Sequence, residues 1–475
     1  RGYPFEAHYV TTDDGYIIAL HRIPRPSRES RQSDMLGSVD VLDGEPRPGP
    51  ELHGDEGADR RPVVLFWHGL LMCSEVWVCL PDRSLSLPMV LADAGFDVWL
   101  GNSRGNKYSC KHTTLKFTES RFWDFSIDHL VCYDVPNSVK YILSQTGAAS
   151  LAYIGFSQGS AQGLAALAMS PQLNQCIHLF IGLAPVTKPP ALTNRSLFSF
   201  INTSPEIIYL LFGRKSLIPS CVFWQSVMTS RYYASFIDQC VWFLFGWKSA
   251  FINHKEVAYQ HLYSYTSVKC VVHWFQIMRT GRFQMYDESP EVFVRQGRTS
   301  APISVLRGHI VPKFPTENIR TPIALFYGGQ DTLADMKYVL KEAPTTVFCL
   351  RVEEYEHVHF LWGVGIEKAV FPAILGLLND YGSSIETPSQ MTDTDEIPDR
   401  VAQSSGTLRT VSWISPQQIY EAVRRGRGER RPTLHQSWTT LRNEGGVSES
   451  GSNVLVSNGV RFNGNISIRE EIAQS

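Results

Sequence analysis

Residues 151–169 read LAYIGFSQGSAQGLAALAM, and this stretch predicts a strand, a sharp turn and a helix in immediate succession. The apolar run 151–154 is typical of a strand buried on both faces, and the small residues 160–169 favour a helix. Between them, GFSQG matches G-x-S-x-G, in which a serine occupies a strained turn and small residues two positions before and after it avoid a clash. The stretch therefore predicts an α/β fold with Ser157 as a candidate nucleophile. The alternative is a glycine-rich structural turn.

Other apolar runs of strand length extend this pattern along the chain. They are bounded by Gly, Pro or Asn and lie at 62–68, 96–100 and 322–328. Helical patterns lie between them, for example at 83–94 and 126–145. Strands that alternate with helices predict a mostly parallel central sheet covered by helices.

A second motif, His68-Gly69-Leu70-Leu71, directly follows the first of these runs. A serine nucleophile needs one backbone N–H from the residue after it, and another from an early strand-to-helix loop, to stabilise a negatively charged oxygen. Gln158 and Leu70 are the candidates for this oxyanion hole. For His68 the favoured interpretation is a side chain that braces the loop through hydrogen bonds, with a catalytic role as the alternative.

The acid is expected after the serine in the chain, and before the base. Asp331 follows the apolar run 322–327, where the end of a strand would place a carboxylate at the catalytic edge of the sheet. Asp335, four residues further on, is the alternative. The carboxylate would hold the tautomer of the base and stabilise its positive form.

The base is expected within Tyr355-Glu356-His357-Val358-His359, which follows a predicted strand at 347–352. Local pattern favours His357 as the residue that takes the serine proton. The same pattern does not exclude His359 as the base, because side chains two positions apart lie on the same side of an extended chain.

Composition narrows the class of protein. Of 475 residues, 44 are basic and 46 acidic, and this balance argues against nucleic-acid binding, which usually shows a strongly basic face. The nine cysteines form no C-x-x-C pair, so buried thiols are expected in place of a disulfide framework or a zinc site, and neither a metal nor a cofactor is expected.

No apolar run reaches the length of about 18 residues that spans a membrane. Because the chain begins at Arg1 and not at a methionine, any anchor is expected upstream of it.

Three compositional shifts divide the chain. Residues 26–61 hold 14 charged residues and no aromatic one, and residues 383–475 hold four aromatics in 93 positions. Both compositions predict flexible segments, an insertion and a mostly disordered tail, because so little apolar surface cannot offset the entropy of ordering. Residues 198–275 instead carry 19 Phe, Trp and Tyr in 78 positions, and their spacing predicts helices.

With these motifs in place, the sequence resembles the acid lipase family of α/β-hydrolases, which includes gastric and lysosomal acid lipases and fungal steryl ester hydrolases. The resemblance covers about residues 2–380 apart from the insertion. The blocks that carry it are GYPFEAHYVTTDDGYIIALHRIP (2–24), HGLL (68–71), GFDVWLGNSRGNKYS (95–109), FWDFSIDHLVCYDVPNSVKYI (122–142), GFSQGSAQ (155–162), LAPV (183–186), PTENIRTPIALFYGGQDTLAD (315–335) and EYEHVHFLWG (354–363).

Some details of the resemblance concern individual residues. The family pattern at the last block is H-x-D-F with its first histidine as the base, which implies His357. His359 stands where many members have Asp, and His129 stands where an acidic residue is usual. Phe156, where animal enzymes usually have His, and the charged insertion resemble the fungal steryl ester hydrolases more than the digestive lipases.

The resemblance implies an α/β-hydrolase fold whose core comprises residues 1–185 and 311–382, with a helical cap at 186–310. The cap would line a site for acyl chains or a sterol and contact a lipid surface. The candidate residues belong to the run VWFLFGW (241–247) and are Trp242, Phe243, Phe245 and Trp247, with Phe223, Trp224, Tyr232 and Tyr233 as the alternative set.

The implied function is hydrolysis of neutral-lipid esters, steryl esters first, by a protein associated with a membrane or a lipid droplet. Hydrolysis of triacylglycerols is the alternative within the family. A hydrolase of soluble esters or thioesters is a further alternative, against which the large aromatic cap counts. An inactive lipid-binding scaffold is disfavoured because every position of the triad and of the oxyanion hole is filled.

Overall fold

The apolar runs form the centre of a nine-stranded sheet. The computed structural model describes residues 3–24, 61–190, 205–217, 219–288 and 311–382. The predicted insertion 26–61, except its last residue, and the predicted tail 383–475 lie outside the described residues. The strands are β1 (Glu6–Thr11), β2 (Tyr16–Ile23), β3 (Val63–Trp67), β4 (Asp97–Gly101), β5 (Lys111–His112), β6 (Leu151–Phe156), β7 (Ile177–Leu183), β8 (Ile323–Gly328) and β9 (Thr346–Val352).

The strand order is β1-β2-β4-β3-β6-β7-β8-β9, and β5 pairs with β2 at one side. Strands β1 and β2 form an antiparallel hairpin, and β2 also pairs antiparallel with β4. All pairs from β4 through β3 to β9 are parallel. The predicted mostly parallel α/β sheet is therefore confirmed, and the carboxyl ends of β3, β6, β8 and β9 lie along the same edge.

Helices connect and cover the strands. The α-helices of four or more residues are α1 (Leu87–Asp93), α2 (Val135–Thr146), α3 (Gln158–Met169), α4 (Pro171–Cys176), α5 (Pro205–Phe212), α6 (Pro219–Val227), α7 (Ser230–Phe245), α8 (Lys255–Tyr259), α9 (Val268–Thr280), α10 (Met336–Glu342), α11 (His359–Trp362), α12 (Ile366–Ala369) and α13 (Phe371–Gly382). Within the described ranges, no helix is both long and apolar enough to cross a bilayer.

Strand β6 shows why the sequence runs are continuously apolar. Ala152, Ile154 and Phe156 pack into one buried cluster, whereas Leu151 and Tyr153 pack into another. The sheet is thus covered on both faces, and a strand covered on both faces has no position for a solvated side chain.

Two predicted helices are broken in the structure. The pattern at 83–94 forms a 3-10 turn at Arg83–Leu85 and then α1. The pattern at 126–145 contains a π-helical segment, Leu130–Asp134, before α2 begins. Pro136 lacks a backbone N–H and its ring crowds the preceding turn, so regular α-helical bonding cannot continue through this point.

Five helices, α5 to α9, lie between β7 and β8, as expected from the aromatic stretch 198–275. Among the cysteines whose side chains the structure describes, none forms a disulfide; Cys73, Cys79, Cys132 and Cys270 are buried and Cys349 is exposed.

Candidate active site

Ser157 lies at the turn between β6 and α3 in a strained backbone conformation. Its φ of 53° and ψ of −116° fall in a region that residues with a side chain rarely adopt and that costs about 1–3 kcal/mol. A Cβ atom on Gly155 would lie 2.7 Å from the backbone of Gly159, and one on Gly159 would lie 2.7 Å from the carbonyl oxygen of His68. The two glycines of the motif are therefore required by close backbone packing.

The structure brings Ser157, Asp331 and His357 together, although Ser157 and His357 are 200 positions apart in the chain. Ser157 Oγ lies 2.7 Å from His357 Nε2, and His357 Nδ1 lies 2.8 Å from Asp331 Oδ2. The second carboxylate oxygen of Asp331 accepts a hydrogen bond from the backbone N–H of Leu333 at 2.9 Å. Asp331 and His357 are both buried. A serine hydroxyl, an imidazole and a carboxylate in this chain of hydrogen bonds can activate the hydroxyl as a nucleophile. The catalytic roles themselves stay a prediction.

The loops that carry the acid and the base are joined by their backbones. The N–H of Gly329 donates to Val352, and the N–H of Gln330 donates to the carbonyl of Tyr355, at 2.8 and 3.0 Å. Because β8 and β9 are parallel neighbours, both loops leave the sheet at the same edge. The pairing fixes the position of Asp331 relative to His357.

Asp335, the alternative acid, has a different place in the structure. Its carboxylate caps α10 by accepting from the backbone N–H of Tyr338, and it forms an ion pair of 2.8 Å with Lys188. The lysine holds the pKa of Asp335 below its ordinary value. These contacts give Asp335 a structural role at a helix start.

The two predicted oxyanion-hole residues lie at the ends of β3 and β6, which are parallel neighbours. Gln158 is the first residue of α3, and the first N–H groups of a helix have no partner within it. Leu70 follows Gly69, where an added Cβ atom would lie 3.1 Å from the ring of Phe156, the residue before Ser157. Backbone N–H groups at both positions stay the predicted donors to a carbonyl oxygen bound at Ser157.

His68 braces the loop that carries Leu70. Its Nε2 accepts from the backbone N–H of Ser103 at 3.1 Å, and its Nδ1 donates to the carbonyl of Gly69 at 2.8 Å. Complete burial lowers the pKa of His68 to about 4, so the imidazole is neutral near pH 7. Ser103 was not singled out from the sequence, although it belongs to the GNSRGN motif that follows β4.

His359 points away from the serine and contacts the aromatic region. Its Nδ1 accepts from the backbone N–H of Glu356 at 3.1 Å, and its Nε2 donates to the carbonyl of Ala250. The Glu356 carboxylate accepts from the backbone N–H groups of Lys248 and Ser249 at 2.7 and 2.9 Å. The residues on both sides of His357 therefore attach the base loop to the segment that follows α7. Glu356 was missed because its partners are backbone groups more than 100 residues away.

The four aromatic residues that were predicted to contact substrate differ in how far their side chains are exposed. Trp242 and Phe243 are 64% and 56% exposed on α7, whereas Trp247 is 4% exposed. The Trp247 ring stacks on the His357 imidazole at 5.5 Å and 17°, and its Nε1 donates to Thr332 Oγ1 at 2.9 Å. Phe245 is partly buried and stacks on Trp247 at 4.4 Å. Trp247 thus contacts both the base and the residue after the acid.

The alternative aromatic set is divided in the same way. Phe223, Trp224 and Tyr232 are exposed, whereas Tyr233 is buried in the core. Five of these eight side chains are exposed, and this cannot be deduced from composition, since exposed and buried aromatic positions look alike in sequence.

A second tryptophan contacts Gln158, the residue after Ser157, and was missed in the sequence. Trp274, on α9, donates its Nε1 to the side-chain oxygen of Gln158 at 2.7 Å. The helical segment 205–280 therefore supplies one tryptophan to the base and another to the residue after the nucleophile. Only the aromatic content of this segment hinted at such contacts.

No group of His, Cys, Asp and Glu side chains that could hold a metal ion occurs in the described ranges. The geometry of the site is that of a hydroxyl, an imidazole and a carboxylate joined by hydrogen bonds. Such an arrangement can carry out acyl transfer from an ester.

Comparison with known proteins agrees with this chemistry. Residues 62–364 match the family described as alpha/beta hydrolase fold, and residues 1–80 match the partial alpha/beta-hydrolase lipase region. A probable lipase of Schizosaccharomyces pombe is 42% identical over 384 residues, which cover 80% of this chain and 75% of the relative. The lysosomal acid lipase/cholesteryl ester hydrolase of Homo sapiens is 32% identical over 390 residues, which cover 80% of this chain and 89% of the relative.

Proposed function

The chain is a carboxylic ester hydrolase that belongs to the lipase family of α/β-hydrolases. From that premise we propose that it cleaves neutral-lipid esters, with steryl esters as the preferred substrates, and that Ser157, His357 and Asp331 form its catalytic triad. The observation that carries the proposal is the unbroken hydrogen-bond chain from Ser157 Oγ through both ring nitrogens of His357 to Asp331 Oδ2.

The first half of the reaction forms an acyl-enzyme. Ser157 Oγ attacks the ester carbonyl carbon while His357 Nε2 takes the hydroxyl proton, and Asp331 stabilises the resulting imidazolium. The backbone N–H groups of Gln158 and Leu70 stabilise the negative oxygen of the tetrahedral intermediate. When the intermediate collapses, the C–O bond to the alcohol breaks, and the alcohol leaves with the proton from His357.

The second half releases the acid. Water attacks the carbonyl carbon of the acylated serine, and His357 again accepts a proton. Collapse of this second intermediate breaks the bond to Ser157 Oγ, which regains its proton, and a fatty acid departs. Every proton movement is thus assigned to the one imidazole that lies between Ser157 and Asp331.

Two observations support a neutral lipid as the substrate. Helices α5 to α7 expose large apolar side chains, among them Leu210, Trp224 and Trp242, as a protein that contacts a lipid surface would. One relative carries cholesteryl ester hydrolase in its name. We therefore assign residues 186–310 as a cap that meets a membrane or lipid-droplet surface, with the triad beneath it.

The test compares cholesteryl oleate, ergosteryl oleate and triolein in the same phospholipid emulsion, with Ser157→Ala as the control. Release of oleate from both steryl esters faster than from triolein is the expected result. Ser157→Ala should lose roughly a millionfold in turnover while keeping its fold, because the nucleophile is removed. Faster hydrolysis of triolein would change the substrate assignment, and full activity of a folded Ser157→Ala protein would reject the triad.

A further inference from the structure

A cavity of about 150 Å³ lies where the core meets the helical segment, and it shares no residue with the site described above. Its core side is formed by the 3-10 turn Ser120–Trp123 and by Asp124. Its other side is formed by Tyr209 and Arg214, at the end of α5, and by Lys269 of α9. The cavity is too small for a drug-sized molecule but has room for a compact charged group.

Positive charge dominates the lining of this cavity. Arg121, Arg214 and Lys269 are cationic, and Asp124 is the one acid among the described lining residues. Lys269 is only 8% exposed, and its Nζ lies 2.8 Å from the carboxylate of Asp124. The described lining residues thus include three cations and one acid. Such a lining offers several N–H donors to the oxygens of an anion.

The cations are supported by rigid aromatic side chains. The guanidinium of Arg214 lies 4.1 Å from the ring centroid of Tyr209, and Lys269 Nζ lies 4.9 Å from that of Tyr286. Tyr209 and Tyr286 are buried and share a hydrogen bond of 3.0 Å between their hydroxyls. A guanidinium that stacks on a ring keeps a planar set of N–H donors, which matches the oxygens of a phosphate.

Exposed apolar side chains lie next to the cavity. Leu210, Leu211 and Phe212 fall between the lining residues Tyr209 and Arg214, and Leu210 is 83% exposed. A cationic pocket beside exposed apolar side chains is the arrangement by which a protein binds the surface of an anionic membrane. The apolar groups would enter the boundary of the acyl chains while the cations meet the phosphates.

We propose that this cavity binds the phosphate of an anionic phospholipid headgroup, between Arg121 on the core and Arg214 at the end of α5. The site goes beyond the proposed ester hydrolysis and does not depend on the triad. Its occupation would hold the exposed turn Leu210–Phe212 against the lipid surface from which a substrate enters.

The test uses the full chain carrying Ser157→Ala, so that lipid is bound but not cleaved. Co-sedimentation is measured with vesicles of phosphatidylcholine alone and of phosphatidylcholine mixed with phosphatidic acid. Arg121→Gln and Arg214→Gln should each lower partitioning to the phosphatidic acid vesicles about fivefold, the effect of one cation at an anionic surface. Arg351→Gln, which removes an exposed arginine from β9, is the matched control and should change partitioning little.

Three outcomes would overturn the proposal. Equal effects of all three substitutions would show that only overall charge matters and that the cavity is not the site. No preference of the parent protein for phosphatidic acid would reject an anionic headgroup as ligand. Binding of inorganic phosphate with the same dependence on Arg121 and Arg214, but without vesicle binding, would transfer the site to a soluble phosphate. Hydrolysis of p-nitrophenyl butyrate by the two arginine variants in the active background reports on the triad separately, and it should be unchanged.

Discussion

Asp331 and Asp335 lie four residues apart, yet their contacts predict opposite effects of the same substitution. Asp331→Asn should lower kcat for p-nitrophenyl butyrate by about ten-thousandfold, because an amide cannot hold the required tautomer of His357. Asp335→Asn should retain most activity, because asparagine is also a good helix N-cap. The reverse result would transfer the role of the acid to Asp335.

Trp247 provides a second prediction at the residue scale, because its ring stacks on His357. Trp247→Ala should lower kcat for both a long and a short ester, by up to about a hundredfold, since a displaced imidazole is a poor base. Trp247→Phe keeps a ring on the imidazole but loses the hydrogen bond to Thr332, and it should recover most of the activity.

Kinetics can separate positioning by Trp247 from contact with substrate. If Trp247 positions the base, the loss appears in kcat and is similar for the short and the long ester. If Trp247→Ala instead raised KM for the steryl ester alone, the residue would be a substrate contact, which is the role that the sequence predicted for it.

At the scale of one element, helix α7 has apolar side chains on two faces. Tyr233, Ile237 and Val241 are buried, whereas Tyr232, Phe236, Trp242 and Phe243 are exposed. The buried set explains how the helix docks on its neighbours. The exposed set has no structural explanation in the described part of the chain and is the surface that we assign to lipid contact.

The exposed face of α7 leads to a prediction about lipid surfaces. Trp242→Ala with Phe243→Ala should lower binding to a neutral-lipid emulsion about tenfold or more, since each large apolar side chain contributes about 1.5–3 kcal/mol when it is buried. Emulsion hydrolysis should fall in parallel, while hydrolysis of dissolved p-nitrophenyl butyrate should change little. Tyr9→Ala removes an exposed ring from β1 and serves as the control. Equal losses with the emulsion and the butyrate would mean that α7 supports the fold and not lipid contact.

For the whole molecule, the buried histidines predict how stability depends on pH. Burial disfavours the charged imidazole and lowers the pKa from its ordinary value of 6.5, to about 4 in four of these side chains. The histidines with a lowered pKa are His21, His68, His129, His178, His273 and His359. Each is neutral in the folded protein over a range in which the unfolded chain binds a proton.

The sign of this effect follows from proton binding. Between pH 6.5 and about 4 the unfolded state holds more protons, so the free energy of unfolding falls as the pH falls. A completely buried histidine such as His68 contributes roughly 3 kcal/mol over this range. Burial raises the pKa of Asp134 to about 6, and this one group acts in the opposite direction.

We therefore expect Tm to be highest above about pH 6.5 and to fall steadily towards pH 4.5, as measured by thermal unfolding. His129→Gln should flatten this dependence, because it removes one buried imidazole. His254→Asn should leave the dependence unchanged, since His254 is exposed and asparagine tolerates its left-handed backbone. A Tm that rises on acidification would contradict the prediction.

The sequence alone was enough for the α/β architecture and for placing Ser157 and Asp331 directly after buried strands. Each of these features depends on local pattern. A strand covered on both faces must be apolar throughout, and the turn at Ser157 admits only a small residue at Gly155 because the backbone of Gly159, four residues further on, lies against it. Such constraints act within a few residues and can therefore be read along the chain.

Only the tertiary structure decided which partner each of the remaining groups meets. His357 and His359 are equivalent by local alternation, but one lies against Ser157 and the other against Ala250. Trp242 and Trp247 lie in one aromatic run, yet the left-handed turn at Gly246 ends α7, and only Trp247 reaches the base. These contacts join segments about 100–200 residues apart, and their energies depend on how the whole chain packs. Local periodicity carries no information about that packing.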